Sequence, residues 1–93
     1  MHAVVRQYTG VPELIDLLKQ NEGEVKRIMQ DVPGFVAYYM VSSGDGGTSI
    51  TVCNDKAGTD ESTRRATEWV QANASGLKNI TPQVSEGDVV IEF

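Results

Sequence analysis

Residues 31–55, DVPGFVAYYMVSSGDGGTSITVCND, decide the fold of this chain. Two runs rich in β-branched and aromatic residues, FVAYYMV (35–41) and SITVCN (49–54), flank a glycine-rich turn and predict a β-hairpin. We place Ser43 opposite Gly47, which leaves Gly44, Asp45 and Gly46 as a three-residue loop, because glycine reaches positive φ angles at little cost.

This register predicts which side chains of the hairpin share a face. A shift by one residue would exchange the partners, because side chains alternate between the two faces of a sheet. The expected pairs are Met40 with Ile50 and Tyr38 with Val52 on one face, and Tyr39 with Thr51 and Ala37 with Cys53 on the other.

The segments on either side of the hairpin predict two helices and two more strands. AVVRQY (3–8) is typical of a strand, and apolar residues at helical spacing follow from Pro12 to Val32. Gly23 weakens the middle of this helix, which allows a kink or a break near Asn21–Gly23. A second helix opens at residues 58–61, with Thr59 or Asp60 as its N-cap, and ends near Ser75. Its apolar face holds Ala66, Trp69, Val70, Asn73 and Leu77, and DVVIEF (88–93) predicts the last strand.

The resulting order is β-α-β-β-α-β in a single domain, residues 1–93. Two right-handed β-α-β units around a hairpin give an α+β, ferredoxin-like antiparallel sheet with both helices on one face. The other face is left open. An open face normally carries polar side chains, yet FVAYYMV is apolar on both faces. We therefore expect a homodimer that forms through the open sheet face and buries it.

Composition narrows the class of protein. The chain of 93 residues has a net charge of −5, so it lacks the basic surface that nucleic-acid binding requires. It has no run of the ~18 apolar residues that would suggest a membrane-spanning helix. One cysteine, Cys53, and one histidine, His2, are too few for a structural zinc site, and no cofactor motif is present, so we expect neither metal nor cofactor. A lone free thiol and the absence of a leader-like N-terminus favour the cytoplasm.

Three short motifs support a resemblance to a known family: PGFV followed by YY on the strand after the first helix, EWV on the second helix, and a GDGG hairpin. In this layout the chain resembles the dimeric α/β-barrel superfamily, and within it the antibiotic-biosynthesis-monooxygenase-like branch. The resemblance implies that two sheets face each other as a barrel in the homodimer. It also implies a cleft between helices and sheet in each subunit, where characterised relatives bind aromatic polyketides or heme.

Trp69 is the most suggestive candidate for such a cleft, although a core anchor between helix and sheet is the favoured interpretation. Heme-degrading members carry a tryptophan in a similar place, together with an asparagine on the first strand and a histidine later on the second helix. Gln7 stands near the first of these positions, and no histidine follows Trp69. Heme iron needs an axial ligand, so heme degradation is disfavoured.

The remaining candidate ligand residues are polar groups with two interpretations each. Asn73 could hold a ligand oxygen in the cleft or bond a nearby backbone group, and the second is favoured. Arg6 and Gln7 point in opposite directions, and Arg6 is expected at a rim, because a buried arginine would need a carboxylate or an anionic ligand. One of Tyr38 and Tyr39 should face the helices and could donate a hydrogen bond to a phenolic ligand.

Two functions remain open. The first is a cofactor-independent monooxygenase acting on a small aromatic, with Gln7, Trp69, Asn73 and a tyrosine lining the cleft. The second is a non-catalytic dimer that binds a metabolite or another protein. The absence of a recognisable acid–base pair slightly favours the second, so whether the chain is an enzyme stays open.

Overall fold

In the part of the chain that the structure describes, four strands form one antiparallel sheet, and three helices cover one of its faces. The structure is a computed structural model and describes residues 1–74, 76 and 81–93. The sheet order is β2-β3-β1-β4, with all neighbours antiparallel, which confirms the predicted ferredoxin-like α+β fold. The elements are β1 (His2–Tyr8), α1 (Pro12–Gln20), α2 (Glu22–Gln30), β2 (Phe35–Ser43), β3 (Gly46–Cys53), α3 (Lys56–Asn73) and β4 (Gln83–Asp88).

The first helical segment breaks near Asn21–Gly23, where the sequence allowed a kink or a break. α1 and α2 meet at Asn21, whose side-chain Nδ2 donates to the carbonyl of Leu17 at 2.8 Å. Its backbone N–H also bonds the carbonyls of Leu17 and Leu18. An asparagine amide that competes for backbone groups in this way ends a helix.

The hairpin closes with a shorter loop than predicted. Ser43 pairs with Gly46, so only Gly44 and Asp45 form the turn, and Gly44 takes a φ of 53°. The predicted register is therefore wrong by one residue: Tyr38 lies opposite Thr51, and Tyr39 lies opposite Ile50.

The reason for the shift lies outside the hairpin. A Cβ on Gly46 would clash with the carbonyl oxygen of Tyr8, so the end of β1 approaches this residue more closely than a side chain would allow. The backbone N–H of Val11 donates to the carbonyl of Asp45 at 2.9 Å and ties the turn to the end of β1. Gly46 consequently belongs to the ladder rather than to the loop.

A β-bulge at Val36 changes which way the start of β2 faces. Phe35 lies opposite Cys53 and Ala37 opposite Val52, so Val36 is the extra residue. Phe35 therefore lies on the helix-covered face and Ala37 on the open face. Without the bulge, Phe35 and Ala37 would lie on the same face, because side chains alternate between the two faces along a strand.

α3 begins earlier than predicted. Its N-cap is Asp55, whose carboxylate accepts a hydrogen bond from the N–H of Gly58 at 3.0 Å, so the prediction of Thr59 or Asp60 is wrong. Thr59 is instead buried inside the first turns, with its hydroxyl 2.7 Å from Nδ1 of His2. The helix ends at Asn73; Ser75 and Leu77, named in the sequence prediction, lie outside the described residues.

The last strand is the largest error of the sequence prediction. β4 spans Gln83–Asp88 rather than 88–93 and pairs with β1 from Gln7 to His2. Beyond Asp88 the partner strand runs out, and the final bond joins the N–H of Val89 to the carbonyl of Met1. Val90, Ile91 and Phe93 have strand-forming side chains but pair with no strand among the described residues, and all three are exposed.

The two faces of the sheet differ sharply. Tyr8, Val11, Leu14 and Ala74 form a core cluster under the helices. The open face carries Val5, Ile50, Val52, Tyr39 and Val41, of which Tyr39 is 60% and Val41 is 50% exposed. None of the helices in the described ranges is long and apolar enough to cross a membrane.

Candidate functional site

A cleft of about 750 Å³ opens between the α1–α2 pair and strand β2. Two local features shape its walls: the break at Asn21, which divides the first helical segment into α1 and α2, and the bulge at Val36, which turns Phe35 toward the helices. Its apolar lining comprises Ile15, Leu18, Val25, Met29, Phe35, Ala37 and Met40, and polar groups are contributed by Lys19, Glu22, Lys26, Gln30, Tyr38, Tyr39 and Ser42.

Tyr38 is the aromatic hydroxyl on the helix side of the cleft. It is half-buried and shares the covered face with Thr51, its partner on β3. Burial raises the pKa of Tyr38 to about 12, and the positive charge of Arg6 opposes part of this rise. The phenol is therefore protonated at neutral pH and available as a hydrogen-bond donor.

Arg6 lies behind this wall of the cleft, buried to 1% exposure, and not at the rim that the sequence favoured. The guanidinium is held by hydroxyl groups on two elements. Nη1 donates to Ser49 Oγ at 3.1 Å and Thr51 Oγ1 at 3.2 Å, Nη2 donates to Ser62 Oγ at 2.7 Å, and Nε donates to Thr63 Oγ1 at 3.2 Å.

The electrostatics of Arg6 are unusual because its hydrogen-bond partners within the described ranges include no carboxylate. Burial lowers the pKa of its guanidinium, while Tyr8, Tyr38 and Cys53 act in the opposite direction. Arginine nevertheless stays charged in proteins. A fixed positive charge thus lies under the Tyr38 side of the cleft. The sequence offered one signal for it, the hydroxyl residues at alternate positions of SITVCN.

Trp69 lies in the core, not beside an open cavity. It is 7% exposed, and its Nε1 donates to Glu24 Oε1 at 3.1 Å. The space next to it measures only about 20 Å³ and is lined by Tyr8, Leu18, Val25, Ile28, Met29, Ala66 and Val70. These contacts match the core-anchor interpretation.

The structure separates the other candidates. Asn73 is exposed and donates Nδ2 to the carbonyl of Trp69 at 2.9 Å, the local backbone bond that the sequence favoured. Gln7 is exposed on the open face, opposite Thr48. Tyr39 borders the cleft, but it pairs with Ile50 on the open face. Tyr38 and Tyr39 are therefore brought to the cleft, whereas Gln7, Trp69 and Asn73 are not.

A second polar cluster lies at the other end of the covered face. Nδ1 of His2 is 2.7 Å from the Thr59 hydroxyl, and its Nε2 is 3.6 Å from Glu86. Cys53 is buried next to His2 across the ladder, and burial raises the pKa of its thiol, which keeps it protonated. Within residues 1–74, 76 and 81–93 no three His, Cys, Asp or Glu side chains lie close enough to hold a metal ion.

The cleft can bind a flat apolar molecule through its aromatic and methionine side chains and can hydrogen-bond one of its oxygens through Tyr38. Among the described lining residues there is no histidine or cysteine, and Glu22 is the one carboxylate. The sequence did not anticipate the roles of Met29 and Phe35, because they depend on the helix break and on the bulge.

Comparison with known proteins identifies the fold. No family model and no curated protein matches the chain. Among solved structures, NE2512, a protein of unknown function from Nitrosomonas europaea, has a TM-score of 0.74 at 16% identity, over 99% of this chain and 91% of that chain. SnoaB, a cofactor-independent oxygenase from Streptomyces nogalater, has a TM-score of 0.61 at 17% identity, over 98% and 94% of the two chains.

A dimeric ferredoxin-like protein from an uncultured marine organism has a TM-score of 0.64 at 12% identity, over 99% of this chain and 95% of that chain. Further matches include antibiotic biosynthesis monooxygenases. At such identities the likeness shows a shared fold, and it is the ferredoxin-like fold that the resemblance in sequence predicted.

Proposed function

We propose that this chain binds a small aromatic compound in the cleft between α1–α2 and β2 and supports its oxidation by O₂ without a bound cofactor. The observation that carries this proposal is the cleft itself, about 750 Å³ with largely apolar walls and Tyr38 among its lining residues. The shared fold with SnoaB, described as a cofactor-independent oxygenase, supports the choice of reaction.

In this chemistry the substrate supplies the electrons and the protein orients it. An activated methylene beside an aromatic carbonyl loses a proton to solvent water to give an enolate, and the later release of water leaves the overall proton count unchanged. Reaction with O₂ then converts CH₂ to C=O and releases water, so that CH₂ plus O₂ balances C=O plus H₂O. The apolar walls hold the ring system in place, and the protonated phenol of Tyr38 donates to the oxygen on which negative charge develops.

We further propose that the protein works as a homodimer that buries the open sheet face, with two sheets opposed as a barrel. Tyr39 and Val41 expose large apolar side chains there, next to Ile50 and Val52. A small chain gains stability from such an interface, and a fold neighbour is described as dimeric. A cytoplasmic location, suggested by the lone thiol of Cys53, belongs to the same proposal.

The second candidate is a non-catalytic dimer that binds a metabolite in the same cleft. The described lining favours this candidate, because it contains Glu22 but no histidine or cysteine that could act with Glu22 as an acid–base pair. The two candidates share the ligand site and differ only in whether the bound compound reacts with O₂.

An oxygen electrode with an anthrone-type substrate separates them. We expect oxygen consumption above the uncatalysed rate, and Tyr38→Phe should lower it by about 10²-fold while leaving ligand affinity within about threefold, since one oxyanion donor is lost. Binding without oxygen consumption across a panel of such aromatics would favour the second candidate.

The location of the site is tested by filling it. Met40→Trp adds bulk inside the cleft and should abolish binding of the aromatic, whereas Gln71→Trp adds the same ring on the exposed surface of α3 and should not. Equal binding by both variants would remove the cleft as the ligand site.

A further inference from the structure

The lining of the cleft carries more positive than negative side chains, although the whole chain is negatively charged. The chain has a net charge of −5, yet the described lining carries two lysines, Lys19 and Lys26, against one carboxylate, Glu22. All three are exposed and so lie at the mouth. Neither lysine takes part in an ion pair within the described ranges, although lysines and arginines elsewhere on the helices do.

A third cation lies on the inner side. The guanidinium of Arg6 is buried behind Tyr38, and its hydrogen-bond partners among the described residues are all hydroxyls. Thr51 links the two sites, because its hydroxyl accepts from Arg6 and it lies opposite Tyr38 in the ladder. A buried charge whose field is not cancelled by a neighbouring carboxylate extends further than a paired one, since the surrounding protein screens it poorly.

We propose that the ligand of this cleft is an aromatic anion, a flat ring system bearing a carboxylate, and this rests on the proposed function of the cleft. The rings lie against Phe35, Tyr38 and Met40, and the carboxylate meets Lys19 and Lys26 at the mouth. Lysine suits this task because its ammonium is a mobile point charge on a flexible stem that can follow a ligand group. Arg6 adds a fixed attraction from the opposite side and favours any negative charge on the rings.

Two ligands of equal shape test the charge requirement: anthracene-2-carboxylate and anthracene-2-carboxamide. Their binding to the full chain is measured at low salt from the fluorescence anisotropy of the anthracene. We expect the carboxylate to bind about five- to tenfold more tightly than the amide. Added salt should shrink this preference, because the lysines are solvent-exposed.

Lysine variants then test whether the preference for the carboxylate arises at the mouth of the cleft. Lys19→Gln combined with Lys26→Gln should bring the two dissociation constants to within about twofold of each other. Arg27→Gln is the matched control, because Arg27 is an exposed cation on the same helix as Lys26 but does not line the cleft. It should leave the preference unchanged. Glu22→Gln should increase it, since a competing carboxylate is lost from the mouth.

The outcomes distinguish this inference from the function it rests on. If both anthracenes bind equally well to the unmodified protein, or if the double variant keeps the full preference, the anionic ligand is refuted while the aromatic cleft stands. If neither compound binds, both the cleft function and the ligand class are refuted.

Discussion

Arg6 shows how a single buried side chain can shape the whole covered face. Four hydroxyl groups from β3 and α3 surround its guanidinium, namely Ser49, Thr51, Ser62 and Thr63. Removing a charge from water is costly, and charge-assisted hydrogen bonds recover part of that cost. The buried hydroxyls of Ser49, Thr51 and Ser62, which would be odd in a purely apolar core, are explained by this one cation.

Substitutions at Arg6 can measure the balance between desolvation and hydrogen bonding. Arg6→Met removes the buried charge and keeps much of the volume, so we expect its free energy of unfolding to stay within about 1.5 kcal/mol of the parent. Arg6→Lys keeps the charge, but all its donors are on one nitrogen that cannot reach four hydroxyls. This variant should lower the free energy of unfolding by about 3 kcal/mol. Urea denaturation at fixed protein concentration gives both values; the opposite order would show that the hydrogen bonds outweigh desolvation.

Tyr38 gives the stability of the protein a dependence on alkaline pH. Burial raises its pKa from 10 to about 12, so the folded state holds the phenolic proton more tightly than the unfolded state. The stabilisation is fully present below pH 10 and is lost as the pH rises through 12. Between pH 9 and pH 11 we expect Tyr38→Phe to lose about 1 kcal/mol less stability than the parent, measured by urea denaturation at each pH. Parallel losses in the two proteins would contradict the raised pKa.

At the scale of elements, close backbone approaches determine how strands and helices meet. Gly46 lets β1 lie against the hairpin turn, and Gly58 lets α3 lie against β3, where a Cβ would stand 2.7 Å from Cys53 Cβ and 2.8 Å from the carbonyl oxygen of Pro33. The first approach shortens the hairpin loop to two residues. The second brings Thr59 and Ser62 within reach of the sheet.

Two glycine-to-alanine changes in helices should have opposite effects. Gly58→Ala forces a methyl group into the contact between α3 and β3 and should lower the free energy of unfolding by about 2 kcal/mol. Gly23→Ala meets nothing within 4 Å and should raise it by up to about 1 kcal/mol through helix propensity. Thermal melts of the two variants beside the parent test this, and a stabilised Gly58→Ala protein would argue against the tight contact.

For the whole molecule, the sheet departs from the usual distribution of side chains, because its covered face includes buried polar groups and its open face is largely apolar. The covered face holds His2, Arg6, Ser49 and Thr51, while the open face holds mainly apolar residues of β1, β2 and β3. A monomer would expose the open face to water at a free-energy cost. The proposed dimer explains this distribution, because it buries that face and leaves the polar cluster enclosed under the helices.

Sedimentation equilibrium at micromolar concentration tests the dimer. The parent should have about twice the chain mass of 10.1 kDa. Ile50→Glu places a charge in the centre of the open face and should give the mass of one chain, whereas Gln71→Glu adds the same charge on exposed α3 and should remain dimeric. A folded parent with the mass of a single chain would refute the interface.

How far the sequence could predict this molecule depends on the range of the interactions involved. The break at Asn21, the hairpin and the core position of Trp69 follow from neighbours along the chain. The start of α3 at Lys56 does not, because Gly58 lets a segment that looks like a linker pack against β3. Gln7 was a cleft candidate through the family resemblance, and a cleft position for Asn73 was the less favoured of two interpretations, because the sequence cannot say where along a helix or strand the cavity opens.

Periodicity and composition alone were enough to establish the order of elements and the apolar character of the open face, because both arise from alternation within short segments. The strand register, the bulge at Val36, the position of β4 and the burial of Arg6 were determined only by pairing between the strands. Each depends on a contact between residues far apart in the chain, and a shift of one residue reverses the face of every side chain beyond it. The cleft depends on those contacts, so its location could be read only from the folded structure.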